Sequence, residues 1–393
     1  MPGMRTPTEP PPGRLSVVIG AGGTGGHIYP GLALAEALLR AEPDAAISFL
    51  GTERGLETRL VPEAGFRLHT VDMIPFDPAL GARRYLLPAA LLRAGAQART
   101  VLRAQCAQVA VGMGGYASAP AVLGARMAGL PSLVHESNAV PGRANRFAAR
   151  LTPHLALAFD RARAHLPGGE RALTVGMPVA APLAALGRHR GELRDRARHA
   201  LGVPPGARLV LVGGGSLGAD RLTRAAVALA GRWHRQGRTD VHLLVKTGPG
   251  AFEATRGQLP PLARAVPYLD RMDLAYAAAD VVVCRAGSAT VAELATTGVP
   301  AVLVPYPHAP GDHQTHNARV LTDAGAALLL PDPETTGDRL AALLDPLLAD
   351  PARLAAMSAA ADPGPHARAA GLLAHEVLRL AGRTHPTPVK ETA

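Results

Sequence analysis

Short apolar runs alternate along the chain with segments whose apolar residues have helical spacing. Within each short run, apolar and polar residues do not alternate. Runs of this kind are typical of strands that are buried on both faces of a parallel sheet. The predicted strands are 15–19, 47–50, 109–111, 132–134, 209–212, 281–284 and 301–304. The predicted helices include 28–40, a small-residue helix that ends at Ala128, and an amphipathic helix over 367–380. The pattern predicts an α/β protein with parallel sheets.

Glycine-rich loops follow three of the predicted strands. They read GAGGTGGH over 20–27, GMGGY over 112–116 and GGGSLGA over 213–219. The first and third fit G-x-G-x-x-G, which lets a ligand approach the backbone at a helix N-terminus. Because these two loops open halves of similar length, we expect two Rossmann-like domains. Their junction is predicted near 173–182, where prolines interrupt any helix.

The composition of the two chain ends completes the expected domain organisation. Both ends are Pro-rich and polar, which is typical of disordered tails. We expect tails over 1–13 and 383–393, an N-terminal domain over 14–172, a C-terminal domain over 173–365 and a C-terminal helix over 366–382.

The stretch 280–317 carries the densest candidate chemistry. After strand 281–284, a small-residue loop leads to TVAE over 290–293, which has the form of a capping box. A helix N-terminus there favours an anion, and Glu293, expected in or near the first turn, can accept two hydrogen bonds from a diol such as ribose. Gln314 starts the next helix, and its amide both donates and accepts, which suits sugar hydroxyls. These groups together predict a nucleotide-sugar pocket.

Plainer interpretations of the same residues stay open at this point. Glu293 can be a simple helix cap, and strand-loop-helix units are ordinary α/β architecture. The His313-Gln314 pair can be merely solvated at the start of its helix. His27, at a helix start, and the His135-Glu136 pair, at a strand end, can likewise be structural hydrogen-bonded groups.

Two other classes of protein also contain glycine loops. In a nicotinamide-dependent oxidoreductase, an acidic residue is also expected at the end of the second strand. The strand 47–50 ends in Gly51-Thr52 with Glu53 next, which is an ambiguous match. A non-catalytic nucleotide-binding module is the other alternative, and it predicts nucleotide binding without turnover.

Composition narrows the class of protein. The 393 residues are 48% hydrophobic but only 3% aromatic, so Ala, Leu and Val must do most of the packing. No apolar run reaches the ~18 residues that a transmembrane helix needs, and the N-terminus lacks the apolar core of a signal peptide. Cys106 and Cys284 lie in apolar sequence and form no metal or disulfide pattern, which favours a reducing cytoplasm.

The net charge of +10 suits an anionic partner. The basic residues are spread and form no Lys/Arg block with interleaved aromatics, so nucleic acid is disfavoured. Residues 73–103 mix apolar and basic side chains, a pattern that suits contact with an anionic membrane surface. A core helix with a basic solvent face is the competing interpretation of that segment.

Six motifs, in one order along nearly the whole chain, resemble those of the bacterial MurG family of peptidoglycan glycosyltransferases. They are GAGGTGGHIYPGLALAEAL (20–38), GMGGYASAPAVLGA (112–125), HESNAVPGRANR (135–146), GGGSLGA (213–219), RAGSATVAEL (285–294) and DHQTHNA (312–318). The resemblance implies a GT-B fold, with two Rossmann-like domains whose parallel sheets face across a cleft. It also implies inverting transfer of N-acetylglucosamine (GlcNAc) from UDP-GlcNAc to the 4-hydroxyl of the muramoyl sugar of lipid I. A UDP-GlcNAc 2-epimerase or another GT-B glycosyltransferase remains the alternative.

The resemblance assigns roles residue by residue. Glu293 matches the acid that holds the ribose hydroxyls, Gln314 the residue that reads the GlcNAc hydroxyls, and Leu269 a position whose backbone reads uracil. His27 is the candidate base, because it lies on the acceptor-side loop and an imidazole can work near neutral pH. The other candidate substrate-binding residues are Thr24, Gly25, Gly26, Tyr116 and Asn138 on the acceptor side, and Ser216, Ser288, Ala289, Thr290, His313 and Asn317 on the donor side.

The resemblance also implies partners and a place in the cell. UDP-GlcNAc is expected as a substrate and lipid I as the acceptor, with 73–103 on an anionic membrane surface and other cell-wall synthesis and division proteins as further partners. The enzyme is then peripheral, at the cytoplasmic face of the inner membrane. No cofactor or metal is expected, because no carboxylate pair is placed to hold a divalent cation and helix N-termini can stabilise the diphosphate.

The chain departs from the family pattern at several positions. Leu217 stands where the family usually has Gln, and Met177 and Ala180 replace an Asn and an Arg. A frequent His is also absent around 246–248. The missing Arg removes one cation that could neutralise the diphosphate, and Arg285 is a candidate to replace it.

Overall fold

The computed structural model of the chain describes residues 13–73, 87–214 and 219–383, which form two compact units. The first unit contains the chain up to Pro178 and again from Arg368 onward. The second unit is Val179–Ala367. The predicted terminal tails lie almost entirely outside the described residues.

The first unit is built on a parallel sheet of seven strands, in the order β3-β2-β1-β4-β5-β6-β7. The strands are β1 (Ser16–Gly20), β2 (Ala46–Gly51), β3 (Arg67–Thr70), β4 (Val109–Gly112), β5 (Ser132–Glu136), β6 (His154–Leu157) and β7 (Leu173–Thr174). Ile19 of β1 pairs with Phe49 on one side and Val111 on the other. Because the strand order reverses between β1 and β4, the loops that follow these two strands open at a topological switch point, where α/β proteins bind ligands.

Helices cover the first sheet and bury its apolar strands. They are α1 (Gly25–Ala41), α2 (Glu57–Glu63), α3 (Leu87–Ala104), α4 (Ser118–Ala128) and α5 (Arg143–Ala148). Leu34 and Leu38 of α1 pack with Val17 and Ile19 in one core cluster. Burial of such side chains is worth about 1.5–3 kcal/mol each, which holds α1 and the loop before it in place.

The second unit repeats this design on six parallel strands, in the order β10-β9-β8-β11-β12-β13. The strands are β8 (Arg208–Gly213), β9 (Val241–Lys246), β10 (Ala263–Val266), β11 (Val281–Cys284), β12 (Ala301–Leu303) and β13 (Ala327–Leu329). The helices are α6 (Ala181–Ala200), α7 (Asp220–Arg235), α8 (Phe252–Arg256), α9 (Met272–Ala278), α10 (Ser288–Thr297), α11 (His313–Thr322), α12 (Gly337–Leu348) and α13 (Pro351–Ala360). The order reverses between β8 and β11, so this sheet has a switch point of its own.

The last helix, α14 (Ala369–Leu380), returns to the first unit. Its Leu373, Val377 and Leu378 join the core cluster that contains Leu34 and Leu38 of α1. The apolar face of the amphipathic helix predicted over 367–380 therefore packs with α1, near the other end of the sequence.

The expected fold class is confirmed, since both units are α/β with parallel sheets and every predicted strand is present close to its predicted bounds. Two details were wrong. The first helix begins at Gly25 rather than 28, because two glycines join its first turn. Cys106 is exposed in a turn after α3, with a left-handed φ of 48°, and is not in apolar surroundings; Cys284 is buried as expected.

The capping box predicted at 290–293 was also wrong. Gly287 is the N-cap and α10 begins at Ser288, so Thr290 lies inside the first turn and Glu293 in the second. The Glu293 carboxylate accepts a hydrogen bond from the Tyr276 hydroxyl (2.8 Å) and caps no amide. The small residues after β11 let the helix start three residues earlier than a Thr290 N-cap would.

Candidate functional site

The switch point of the second unit places a helix N-terminus directly after β11. Val291 is the first residue of α10 whose amide bonds back, to the Gly287 carbonyl (2.9 Å). The amides of Ser288, Ala289 and Thr290 come before it, in the part of a helix where N–H groups lack intrahelical acceptors. Ser288 is buried and the other two are half-buried. This first turn is suited to hold an anion.

Glu293 lies one turn further along α10, in a low-dielectric environment. Burial raises the pKa of its carboxyl to about 7, while the hydrogen bond from Tyr276 and the positive charge of Lys246 act in the lowering direction. Cys284, at the end of β11, is the other titratable group that faces it. Burial and the Glu293 charge raise the pKa of Tyr276, so its hydroxyl stays a donor. The arrangement holds a carboxylate that can charge near neutral pH.

Lys246 supplies a cation beside Glu293. It ends β9, the strand next to β8, and its ammonium lies 5.5 Å from the ring centroid of Tyr268. Burial lowers its pKa, and the charge of Glu293 opposes that shift. Lys246 lies within the 246–248 segment, where a frequent family His is absent.

The start of α11 is tied to the same loops. The Gln314 side-chain oxygen accepts from the Tyr306 amide (2.9 Å), which fixes the orientation of its side chain. Buried Asn317 donates to the Ala286 carbonyl (3.3 Å) and so joins α11 to the loop after β11. His313 Nδ1 lies 2.9 Å from the Pro310 carbonyl. The structure therefore brings Gln314 and Asn317 to the loops around β11 and β12.

Two other donor-side candidates, Ser216 and Leu269, stay predictions. Ser216, with the neighbouring Leu217, lies outside the described residues. Leu269 is half-buried in the turn between β10 and α9, next to the outermost strand of the sheet.

Arg285, the candidate to replace the missing linker cation, already has partners inside the second unit. Its guanidinium forms an ion pair with Asp332 (2.5 Å) and donates to the Val304 and Pro305 carbonyls (3.2 Å each). Asp332 also pairs with Arg221 (3.0 Å). One carboxylate thus faces two guanidinium groups and balances the charge of only one, so a role for Arg285 at the diphosphate stays a prediction.

In the first unit, the loops after β1 and β4 lie against each other. A Cβ added to Gly114 would come 2.5 Å from His27 Cδ2, and one added to Gly115 would overlap the Gly22 carbonyl. Both glycines have positive φ, of 104° and 74°, so glycine is required there for two reasons. The Tyr116 ring lies 3.7 Å from where a Cβ of Gly23 would stand. His27 and Tyr116 are thus held at one switch point.

Thr24, Gly25, Gly26 and His27 form the start of α1. Thr24 is the N-cap residue, and its hydroxyl lies 3.4 Å from His27 Nδ1. Thr24 is exposed and His27 is half-buried. An imidazole positioned by a hydroxyl at a ligand-binding edge is suited to accept a proton.

Asn138 is held at the end of β5 by a buried carboxyl group. Glu136 accepts from the Asn138 amide (2.8 Å) and from the Asn145 side chain (3.0 Å), and burial raises its pKa to about 7. His135 Nε2 lies 2.9 Å from the Gly176 carbonyl. These contacts favour the structural interpretation of the His135-Glu136 pair.

Sequence reasoning missed three side chains that shape these sites. Asn145 lay inside a recognised motif, whereas Tyr276 had no local signal. The third is Glu57, whose carboxylate turns back onto the first glycine loop. Glu53, the acid that was considered for dinucleotide binding at the end of β2, is exposed instead. A carboxylate on the glycine loop repels phosphate, which argues against a dinucleotide cofactor.

Within residues 13–73, 87–214 and 219–383, no group of three or more His, Cys, Asp or Glu side chains is arranged to hold a metal ion. No helix in those ranges has the length and apolar character needed to cross a membrane.

Two family models match the chain, one in each half. The glycosyltransferase family 28 N-terminal domain matches residues 17–155, and the glycosyltransferase family 28 C-terminal domain matches residues 209–373.

Curated relatives match almost the full chain. The UDP-N-acetylglucosamine--N-acetylmuramyl-(pentapeptide) pyrophosphoryl-undecaprenol N-acetylglucosamine transferase of Desulforudis audaxviator (strain MP104C) is 38% identical over 384 residues, which cover 94% of this chain and 99% of the relative. The protein of the same name from Saccharopolyspora erythraea is 43% identical over 370 residues, with 94% and 95% covered.

Solved structures agree with these relatives. The crystal structure of Acinetobacter baumannii MurG superposes with a TM-score of 0.73 at 28% identity, covering 93% of this chain and 99% of that one. A UDP-GlcNAc 2-epimerase from Neisseria meningitidis superposes with a TM-score of 0.63 at 10% identity, over 93% and 100%. At this level of identity, the similarity to the epimerase shows only that the two proteins share a fold.

Proposed function

The chain belongs to the MurG family of GT-B N-acetylglucosaminyltransferases, and from that premise we propose how its residues carry out the family reaction. The enzyme transfers GlcNAc from UDP-GlcNAc to the 4-hydroxyl of the N-acetylmuramoyl sugar of lipid I, which gives lipid II for peptidoglycan synthesis. The observation in the structure that carries the assignment is a helix N-terminus, at Ser288–Thr290, one turn from the Glu293 carboxylate.

The second unit binds the donor. The Glu293 carboxylate accepts hydrogen bonds from the two ribose hydroxyls. Tyr276 donates a hydrogen bond to it, and Tyr276 and Lys246 both favour its charged form against the effect of burial. The first-turn amides of α10, at Ser288, Ala289 and Thr290, hold the diphosphate. Gln314, with His313 and Asn317 near it, reads the GlcNAc hydroxyls, and the backbone at Leu269 reads uracil. Ser216 is assigned to the nucleotide loop on the resemblance alone.

Donor affinity should fall as pH drops below about 7, because burial raises the pKa of Glu293 to about 7 and a protonated carboxyl loses an acceptor for ribose. Binding favours the charged form, so affinity is present above that pKa and is lost as pH falls through it. Tyr276→Phe removes one group that lowers the pKa and should move the midpoint upward. Calorimetry with UDP-GlcNAc between about pH 6 and pH 8 measures this.

Tyr29→Phe, at an exposed tyrosine of the first unit, is the matched control and should keep the wild-type profile. Affinity that is flat across this pH range would contradict the proposed role of Glu293.

The first unit binds the acceptor and carries the base. UDP is already a good leaving group, so the chain must deprotonate the acceptor hydroxyl and stabilise charge on the diphosphate. His27, positioned by Thr24 and the backbone of Gly114, takes the proton from the 4-hydroxyl. Gly25 and Gly26 let the acceptor approach the backbone, and Tyr116 and Asn138 line the same side.

We also propose that the chemistry needs no resident metal. Helix N-termini, such as that at Ser288–Thr290, supply positive potential where charge develops on the diphosphate. The diphosphate thus has protein partners for its charge.

A membrane surface is proposed to contact the exposed face of α3. The other face packs in the core through Leu91 and Leu102, so the core-helix interpretation holds for that side. Leu92 is 60% exposed. Arg93 beside it is exposed and pairs with Asp72 (2.8 Å), and Arg103 is exposed about three turns further along α3. Residues 74–86, the rest of the predicted patch, lie outside the described residues. This surface would place the enzyme peripherally at the cytoplasmic face of the inner membrane, where other cell-wall synthesis and division proteins are proposed partners.

Leu92→Ser should weaken binding to anionic vesicles by roughly fivefold, for about 1 kcal/mol of lost apolar contact. Vesicle sedimentation measures the change, and added salt should weaken binding further. The matched control is Leu329→Ser, at an exposed leucine of the second unit. Equal vesicle binding by the Leu92 variant and the wild type would remove α3 from the membrane surface.

Incubation with UDP-GlcNAc alone, and then with a short-chain lipid I analogue, separates the proposed function from its alternative. UDP release only when the acceptor is present supports the transferase. Formation of the 2-epimer from the donor alone would favour a UDP-GlcNAc 2-epimerase.

A further inference from the structure

The Glu57 carboxylate is fully buried at the start of α2 and binds two different loops. Its Oε2 accepts from the Gly23 amide (2.9 Å), which belongs to the glycine loop after β1. Its Oε1 accepts from the Thr52 amide (3.0 Å) and the Thr52 hydroxyl (2.9 Å). Because both oxygens accept from backbone N–H groups, this side chain joins the loop after β2 to the glycine loop.

Glycines make room for this carboxylate on three sides. A Cβ added to Gly22 would come 2.7 Å from Glu57 Oε1, and one added to Gly51 would come 2.7 Å from Glu57 Cγ. One added to Gly55 would overlap the Glu57 carboxylate itself. Part of the glycine pattern that suggested a phosphate site thus serves an internal carboxylate.

The loop that Glu57 holds is continuous with the proposed acceptor site. Gly23, whose amide Glu57 binds, has a φ of 85° and directly precedes Thr24, the N-cap of α1. The Gly22 carbonyl lies against Gly115, and the Tyr116 ring lies beside Gly23. A shift of the Gly22-Gly23 backbone would therefore move groups on both loops of the switch point.

We propose that Glu57 is a positioning residue for the transfer reaction: it holds Gly22-Gly23 in the conformation that places Thr24, His27 and Tyr116 for the acceptor. This inference rests on the proposed function of the first unit. Glu57 touches neither substrate; it acts through the backbone of the glycine loop.

Two substitutions test the role of Glu57: one changes its carboxylate and the other displaces it. Glu57→Gln keeps the size but places an NH₂ group against either the Gly23 or the Thr52 amide, since both carboxylate oxygens accept from N–H groups. Gly22→Ala keeps the charge and displaces the carboxylate. Glu53→Gln, at an exposed acid between β2 and α2, is the matched control.

Both test variants should lower kcat by roughly 10- to 100-fold, since a misplacement on the order of 1 Å costs that much in rate. UDP-GlcNAc affinity should not change, because the donor binds the second unit. Amide exchange in a peptide spanning 20–28 should become faster in both variants and stay at the wild-type rate in Glu53→Gln. The double variant should be no slower than the worse single one, because both changes break the same contact.

Wild-type kcat in folded Glu57→Gln and Gly22→Ala would overturn the proposal, as would unchanged exchange over 20–28. If Glu57→Gln does not fold, Gly22→Ala decides by the same two readouts, because it retains the carboxylate. A wild-type protein without transfer activity would refute the proposed function, and the exchange rates would still decide whether Glu57 holds the loop.

Discussion

Glu293→Ala should reduce kcat/KM for UDP-GlcNAc by roughly 100- to 1000-fold, for the loss of two charge-assisted hydrogen bonds worth about 3–4 kcal/mol together. The side chain is well placed for this role, since Tyr276 binds it at 2.8 Å and Lys246 faces it with a positive charge. Removing the carboxylate also leaves Lys246 without its counter-charge. Most of the loss should therefore appear as weaker donor binding, which UDP titration measures directly.

The matched control for this substitution is Glu334→Ala, at an exposed acid of the same unit. It should retain wild-type donor affinity. A Glu293→Ala protein that folds and binds UDP as tightly as the wild type would show that the ribose is held elsewhere.

His27→Ala should lower kcat by roughly 100- to 10,000-fold, the range expected when a general base is removed. UDP-GlcNAc affinity should stay at the wild-type value, because His27 lies in the first unit and the donor binds the second. Single-turnover rates with a lipid I analogue, together with UDP-GlcNAc titration, separate the two effects. The His27 variant should thus lose turnover and keep donor binding, whereas Glu293→Ala should mainly lose donor binding.

His165→Ala changes an exposed histidine of the same unit and serves as the control. A His27→Ala enzyme with wild-type turnover would remove this side chain as the base. The base would then have to be sought among the other polar groups of the first unit.

Local sequence patterns predicted the parts of the fold that depend on neighbouring residues. Uniform apolar runs marked the strands because both faces of each sheet are covered. Gly298 ends α10 with a φ of 64°, a conformation that favours glycine after the last turn of a helix. The capping-box prediction failed for a local reason as well. Gly287 offered an earlier helix start than Thr290.

Side-chain partners from distant segments could not be predicted, because they depend on strand order. Lys246 meets Glu293 because β9, β8 and β11 lie side by side, whereas Tyr276 reaches Glu293 from α9, the helix before β11. Glu57 reaches Gly23 because β2 pairs with β1. Arg285 illustrates the same limit, since its partner Asp332 follows β13, two strands away in the sheet.

The most direct test of the proposed function is transfer itself, measured with purified protein, labelled UDP-GlcNAc and a short-chain lipid I analogue in the presence of a chelator. UDP release and disaccharide formation are followed in the wild type and in Glu293→Ala. We expect disaccharide with the wild type and almost none with the variant. Donor binding by the wild type without any disaccharide would contradict the proposed function.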